Sequence, residues 1–91
     1  MALGMYFTPS SFTLKEYDEV MSRLEAAGAA APPGRLFHVA MEEGGGMRLF
    51  DVWESAEAFH AFGAVLVPIL AELGIDPGEP HVSPVHNVIP G

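Results

Sequence analysis

The chain has 91 residues, which suffice for one hydrophobic core but not for two, so we expect a single domain spanning residues 1–91. Its four lysines and arginines are outnumbered by twelve aspartates and glutamates, and a formal net charge of −8 would repel a phosphate backbone. We therefore expect no nucleic-acid partner, and the lack of cysteine excludes disulfides, thiolate metal sites and a cysteine nucleophile.

A strand and a capped helix are predicted for the N-terminal third of the chain. Residues 2–8 form a short apolar and aromatic run that ends at Pro9. Thr13 and Glu16 have the spacing of a capping box, in which each side chain accepts a hydrogen bond from the other residue's backbone amide. A stripe at helical spacing follows, formed by Leu14, Tyr17, Met21 and Leu24. We expect this helix to end at Gly28.

Two further strands, residues 35–42 and 47–53, are predicted to form a hairpin through the glycine-rich residues 43–46. Ser55 then offers a hydroxyl oxygen to the first amides of a second helix. The apolar stripe of this helix consists of Phe59, Phe62, Leu66, Ile69 or Leu70, and Leu73. Because proline removes a backbone donor, we expect Pro68 to kink the helix or split it in two.

The last extended segment, residues 79–89, contains Pro80 and Pro84 and suits an edge strand. The order β-α-β-β-α-β predicts an α+β, ferredoxin-like fold, with a four-stranded antiparallel sheet and two helices on one face. Both faces of the middle strands are apolar, and 49% of all residues are hydrophobic. We therefore expect a homodimer, in which a second copy covers the sheet face that the helices leave open.

Targeting and membrane signals are not apparent in the sequence. The N-terminus has no charged segment followed by an apolar core, so we expect no signal peptide. No uninterrupted apolar run reaches about 18 residues, so we expect no membrane span. The cytoplasm is the expected location by default.

The pattern resembles the antibiotic-biosynthesis-monooxygenase (ABM)-like domains of the dimeric α/β-barrel superfamily. The residues that carry the resemblance are 51–55 (DVWES), 58–62 (AFHAF) and 84–89 (PVHNVI). The resemblance implies two subunits whose sheets pack face to face, each with a pocket between its sheet and helices. Some members of the superfamily oxygenate aromatic polyketides without metal or flavin, and others degrade haem or isomerise lactones.

Oxygenating and haem-degrading members often carry an acidic residue, an aromatic residue two positions later and a helix histidine about nine positions after that. Asp51 and Trp53 match the first two positions, but Phe62 stands at the third. His60 lies two positions earlier, roughly 200° away around a helix of about 3.6 residues per turn. A haem-binding or haem-degrading function therefore ranks third, after the two functional hypotheses given at the end of this section.

Three residues are candidates for a catalytic role. Trp53 can stack on a planar substrate and donate its indole N–H, or it can be a core residue beneath the second helix. His38 can act as a general base if it faces the helices, or it can be an interface histidine if it faces a partner sheet. His60 can move a proton, or it can be a solvated helix residue.

Five further residues are candidates for substrate binding: Asp51, Phe62, Leu66, His86 and Asn87. Asp51 can orient a histidine, accept a hydrogen bond from a substrate hydroxyl, or pair with Arg48 or Arg35; of these, ion pairing is the expected role. The histidines lack metal-ligand spacing, so we expect no metal. The resemblance to oxygenases that use neither metal nor flavin implies that no cofactor is needed.

Two functional hypotheses from different classes follow. In the first, the chain is a cofactor-independent, monooxygenase-like enzyme acting on a hydrophobic aromatic compound, such as a polyketide or quinol, in the pocket between sheet and helices. In the second, it is a non-catalytic dimeric protein that carries a small ligand or assists a biosynthetic pathway. An imidazole inside the pocket would favour the enzyme, whereas an entirely apolar pocket would favour the carrier.

Overall fold

A computed structural model describes all 91 residues and confirms the predicted order of elements. The strands are β1 (Leu3–Phe7), β2 (Arg35–Glu43), β3 (Gly46–Trp53) and β4 (His81–Pro84), and the helices are α1 (Leu14–Ala26) and α2 (Ala56–Leu73). The four strands form one sheet in the order β2-β3-β1-β4, and every neighbouring pair is antiparallel. This is the ferredoxin-like arrangement. β4 is an edge strand, as predicted, but it is shorter than the predicted segment.

Both predicted helix caps are present. The Thr13 hydroxyl accepts from the Glu16 amide at 3.2 Å, and a Glu16 carboxylate oxygen accepts from the Thr13 amide at 2.9 Å. The Ser55 hydroxyl accepts from the Ala58 amide at 3.1 Å and starts α2. The predicted split at Pro68 is wrong, because α2 is one continuous helix. Pro68 lies on the exposed side, where water can satisfy a carbonyl that has lost its helical donor.

The core lies between the helices and the inner face of the sheet. Its fully buried side chains include Trp53 from β3 and Val20 and Leu24 from α1. Phe62 and Leu70 of α2 belong to the same cluster. By length and composition alone α2, with a mean hydropathy of 1.5, could cross a membrane. Within the single chain, Phe62 and Leu70 are the buried residues of this helix, and 11% of its length is buried.

A bulge near the start of β2 determines which side chains face the helices. Arg35 pairs with Trp53 and His38 pairs with Asp51, although the regular alternation of a strand would place residues 35 and 38 on opposite faces. The register shift lies between Arg35 and Phe37, so one extra residue is accommodated there. Leu36, next to this shift, is 60% exposed. Both Arg35 and His38 consequently face the helices.

The outer face of the sheet is apolar and is left open within one chain. Phe37 is 52% exposed and Met41 is 46% exposed. Val39 and Phe50 form a cross-strand pair, and Tyr6 lies beside Phe50 on β1. We call these five residues the outer apolar face. Its burial by a second copy stays a prediction.

Candidate functional site

A cavity of about 390 Å³ lies between the inner face of the sheet and the two helices, and the segment that contains Pro77 and Pro80 forms part of its wall. Of its 19 lining residues 11 are hydrophobic. Its ionisable or charged side chains are Tyr17, Arg35, His38, Asp51 and His60. A mainly apolar cavity with a few polar groups on one wall is the usual form of a site for a small organic molecule.

His38 is held at both ring nitrogens. Its Nδ1 lies 2.5 Å from Oδ1 of Asp51, the cross-strand neighbour on β3. Its Nε2 lies 2.7 Å from the hydroxyl oxygen of Tyr17 on α1, and the two rings stack with an interplanar angle of 4°. An ionised carboxylate only accepts hydrogen bonds, so this network assigns the proton to Nδ1 and leaves Nε2 to accept from the Tyr17 hydroxyl. His38 therefore presents its basic nitrogen towards Tyr17.

Asp51 is the anchor of this network. Its second carboxylate oxygen, Oδ2, accepts from the Trp53 indole N–H at 3.3 Å, and the residue is only 7% exposed. The expected pairing with Arg48 or Arg35 is wrong. Arg48 lies on the opposite face of β3 and its Nε is 3.8 Å from a Glu43 carboxylate oxygen. The alternative, in which Asp51 orients a histidine, is the observed arrangement, because antiparallel pairing places it opposite His38.

Tyr17 is a site residue that the sequence interpretation had assigned only to the stripe of α1. Burial raises the pKa of the Tyr17 phenol above 10.0; the Arg35 guanidinium lowers it, and the Asp51 and Asp18 carboxylates raise it. The phenol therefore keeps its proton at neutral pH and donates to His38. One signal was available in the sequence, since a hydroxyl on an otherwise apolar helix stripe needs a polar partner.

Comparison with solved structures supports the ferredoxin-like fold over the whole chain. No family model and no curated protein sequence matches this chain. The chain is similar to SnoaB, a cofactor-independent oxygenase from Streptomyces nogalater, with a TM-score of 0.62, 22% identity and coverage of 99% of this chain and 96% of that one. A mutant of SnoaB gives the same values. A protein from Chloroflexus aurantiacus that is classed with the antibiotic biosynthesis monooxygenases follows, with a TM-score of 0.58, 20% identity and coverage of 99% of this chain and 97% of that one. The chain has the ABM fold.

Trp53 occupies a different place in this ABM fold from the one expected of a catalytic residue. Its exposure is 0%, it is not among the residues that line the cavity, and its ring packs against Phe59 and Phe62 at centroid distances of 5.6 and 5.3 Å. The interpretation as a core tryptophan beneath α2 is confirmed. Trp53 therefore contacts the site only indirectly, through its hydrogen bond to Asp51 and its packing against Phe59 and Phe62, which line the cavity.

The remaining candidates divide between the cavity and the surface. Phe62 and Leu66 line the cavity, and His60 lies at its edge on the exposed side of α2. His86 and Asn87 are exposed and do not line it. They follow the end of β4 at Pro84, and no cross-strand pairing turns them towards the helices. The structure thus places neither of them where a substrate in the cavity would be.

Groups able to bind a metal ion do not cluster in the structure. No three side chains of histidine, aspartate or glutamate lie close enough together to hold a metal ion. His38 and Asp51 are hydrogen-bonded to each other. The expectation that the chain needs no metal or cofactor stays a prediction.

Proposed function

We propose that this chain is a small oxygenase that oxidises a hydrophobic aromatic compound in the cavity, with His38 as its general base. The single observation that carries the proposal is the network Tyr17–His38–Asp51 on one wall of an otherwise apolar cavity. A carboxylate that accepts from Nδ1 fixes the orientation and tautomer of the imidazole, so that Nε2 is the nitrogen that takes a proton. The ABM fold shared with SnoaB supports an oxygenase over other classes of enzyme.

The proposed reaction begins with removal of a proton from the activated carbon or hydroxyl of a phenol, anthrone or quinol. Because Nε2 of His38 already accepts from Tyr17, the substrate proton passes to the Tyr17 oxygen as the phenolic proton moves to His38. The substrate anion then transfers electrons to molecular oxygen. In an anthrone-like substrate the methylene becomes a carbonyl, one oxygen atom forms that carbonyl and the other leaves as water, so atoms and electrons balance without an external reductant.

Oxygen uptake with anthrone-like and quinol substrates, with no metal or flavin added, tests the proposal. We expect enzyme-dependent uptake that His38→Ala lowers by about 10²–10⁴-fold, the usual effect of losing a general base. His86→Ala is the matched control, because His86 is exposed and lies outside the cavity. Circular dichroism establishes that both variants remain folded.

Uptake that is equal in His38→Ala and in the wild type would remove His38 from the mechanism. An absence of uptake across the panel, together with binding of the same compounds, would instead support the carrier. Under that alternative the Tyr17–His38–Asp51 network is a structural feature that satisfies the polar groups of the cavity wall.

We also propose that two copies associate through the outer apolar face. Five apolar side chains, Tyr6, Phe37, Val39, Met41 and Phe50, lie there without a covering helix. A contiguous apolar patch on a domain of this size is typical of a protein–protein interface. Identical sheets can pack about this face with two-fold symmetry, in which the same residues meet from both sides.

A further inference from the structure

Arg35 is the one positively charged side chain that lines the cavity, and no carboxylate lies within 4.0 Å of it. The other arginines are paired: Arg23 lies 2.8 Å from a Glu72 carboxylate oxygen, and Arg48 lies 3.8 Å from Glu43. The chain carries twelve acidic residues, so a half-buried arginine without an acidic partner stands apart from the rest of its surface. The Arg35 guanidinium therefore forms no salt bridge within the chain.

The guanidinium of Arg35 is held in place by neutral contacts. One of its terminal nitrogens donates to the Ala30 carbonyl oxygen at 2.9 Å. Its central carbon lies 5.8 Å from the centroid of the Phe62 ring, within the range of a cation–π contact. A guanidinium has five N–H donors, so most of them are not used by these contacts. The β2 bulge turns this donor set towards the cavity.

Arg35 also lies near the base of the proposed reaction. Arg35 and His38 share the inner face of β2, and the Arg35 charge lowers the pKa of the Tyr17 phenol against the larger effect of burial. The positive charge of Arg35 therefore acts on the Tyr17 phenol, through which the substrate proton is transferred. The Asp51 carboxylate on the same wall is already occupied by His38 and Trp53.

We propose that the cavity takes an aromatic ligand with an anionic oxygen, and that Arg35 binds this oxygen while the apolar walls hold the ring system. The proposal names the substrate class of the oxygenase and so rests on that function for its catalytic meaning. Binding energy comes from charge-assisted hydrogen bonds in a cavity of low polarity, where they are stronger than in water. The anionic oxygen has two possible sources: a carboxylate that is already ionised, or a phenol or enol whose proton His38 removes.

Calorimetric titration with matched ligands separates charge from shape. The first pair is 2-naphthoate and 2-naphthamide, which share ring and size but differ in charge; the second is 2-naphthol and naphthalene. Each is titrated into the wild type, Arg35→Gln and Arg48→Gln. The two variants lose the same charge, but Arg48 lies on the opposite face of β3 and does not line the cavity.

For a carboxylate source we expect wild type and Arg48→Gln to bind naphthoate at least about tenfold more tightly than naphthamide, and Arg35→Gln to lose that preference. For an ionised phenol we expect naphthol to bind with the absorption spectrum of the naphtholate in wild type and as the neutral phenol in Arg35→Gln. Either result supports the proposal. If wild type prefers neither naphthoate over naphthamide nor naphtholate over neutral naphthol, or binds none of them, the proposal is overturned.

A second measurement covers the case in which Arg35→Gln does not fold. Added salt should weaken the binding of naphthoate to wild type and leave that of naphthamide unchanged, because only the former involves opposite charges. Equal salt dependence would count against Arg35. These binding experiments require no turnover, so a charge preference without oxygen uptake would refute only the oxygenase. Oxygen uptake without a charge preference would refute only the role of Arg35.

Discussion

Replacing Asp51 with asparagine tests the central network without a change in side-chain size. The two oxygens of Asp51 accept from two N–H donors, those of His38 and Trp53. An amide offers only one acceptor, so the variant must lose one of these bonds. If the amide oxygen stays with Trp53, the NH₂ group faces Nδ1 of His38, and the imidazole proton must move to Nε2. If it turns to His38, the indole N–H is left buried without an acceptor.

Both outcomes have a defined cost. In the second outcome, the buried indole N–H without an acceptor costs about 1–3 kcal/mol of the free energy of unfolding. With the proton on Nε2, His38 can no longer accept from Tyr17 or from a substrate. The rate of oxygen uptake should then fall by about 10²–10⁴-fold, the range for loss of a general base.

Three measurements on Asp51→Asn check this reasoning. Urea unfolding gives the free energy, oxygen uptake gives the rate, and ¹⁵N chemical shifts of the imidazole report which nitrogen carries the proton. Glu54→Gln is the matched control, since it makes the same change of charge and shape at an exposed residue outside the cavity. If Asp51→Asn is as stable as Glu54→Gln and keeps its proton on Nδ1, the proposed role of Asp51 is incorrect.

Three further predictions concern pH, backbone conformation and assembly. Because the pKa of Tyr17 is raised above 10.0, the native state holds the phenolic proton more tightly than the unfolded chain does. The stability that results is complete below pH 10 and is lost at higher pH. Melting temperatures from pH 9 to 12 should therefore fall less steeply in Tyr17→Phe than in wild type, and parallel curves would contradict this. Gly34 has φ +84° and an added Cβ would lie 2.5 Å from a methyl carbon of α2, whereas Gly44 has φ +59° and open space around it. In urea unfolding, Gly34→Ala should therefore lose about 1–3 kcal/mol more of the free energy of unfolding than Gly44→Ala. Equal losses in the two variants would contradict this. In sedimentation velocity, Phe37→Glu should have the mass of one 9.7 kDa chain, whereas wild type should have twice that mass. Val67→Glu is the control, since Val67 lies on the exposed side of α2, and it should remain a dimer. A monomeric wild type would refute the dimer.

Local chemistry accounts for the features that the sequence predicted correctly. The capping box at Thr13 and Glu16 and the cap at Ser55 involve residues three positions apart, so a short stretch of sequence specifies them. The alternation of β3 and the stripes of the helices follow from the repeat of each element. The order of elements then leaves few possible topologies, which is why the fold was predictable.

The composition of the site depended on contacts between distant segments. His38 and Asp51 were both candidates, but their pairing results from strand register, and Tyr17 joins them from α1 across 21 positions of the chain. The sequence left two alternatives for Trp53, a residue that stacks on substrate and a core residue, and the packing around it decides for the core because it covers the side chain completely. Sequence patterns identify side chains with suitable chemistry but not the neighbours that direct or cover them.

The clearest case is Arg35. Strict alternation along β2 would place Arg35 on the face opposite His38. The local sequence does not indicate the bulge whose extra residue brings Arg35 to the same face as His38. A bulge is stable only because the partner strand and the packing above it accept the shift, and those are properties of the assembled sheet. The sequence alone therefore determined the elements, their order and the apolar character of the cavity, while the tertiary structure decided which charged and polar groups face it.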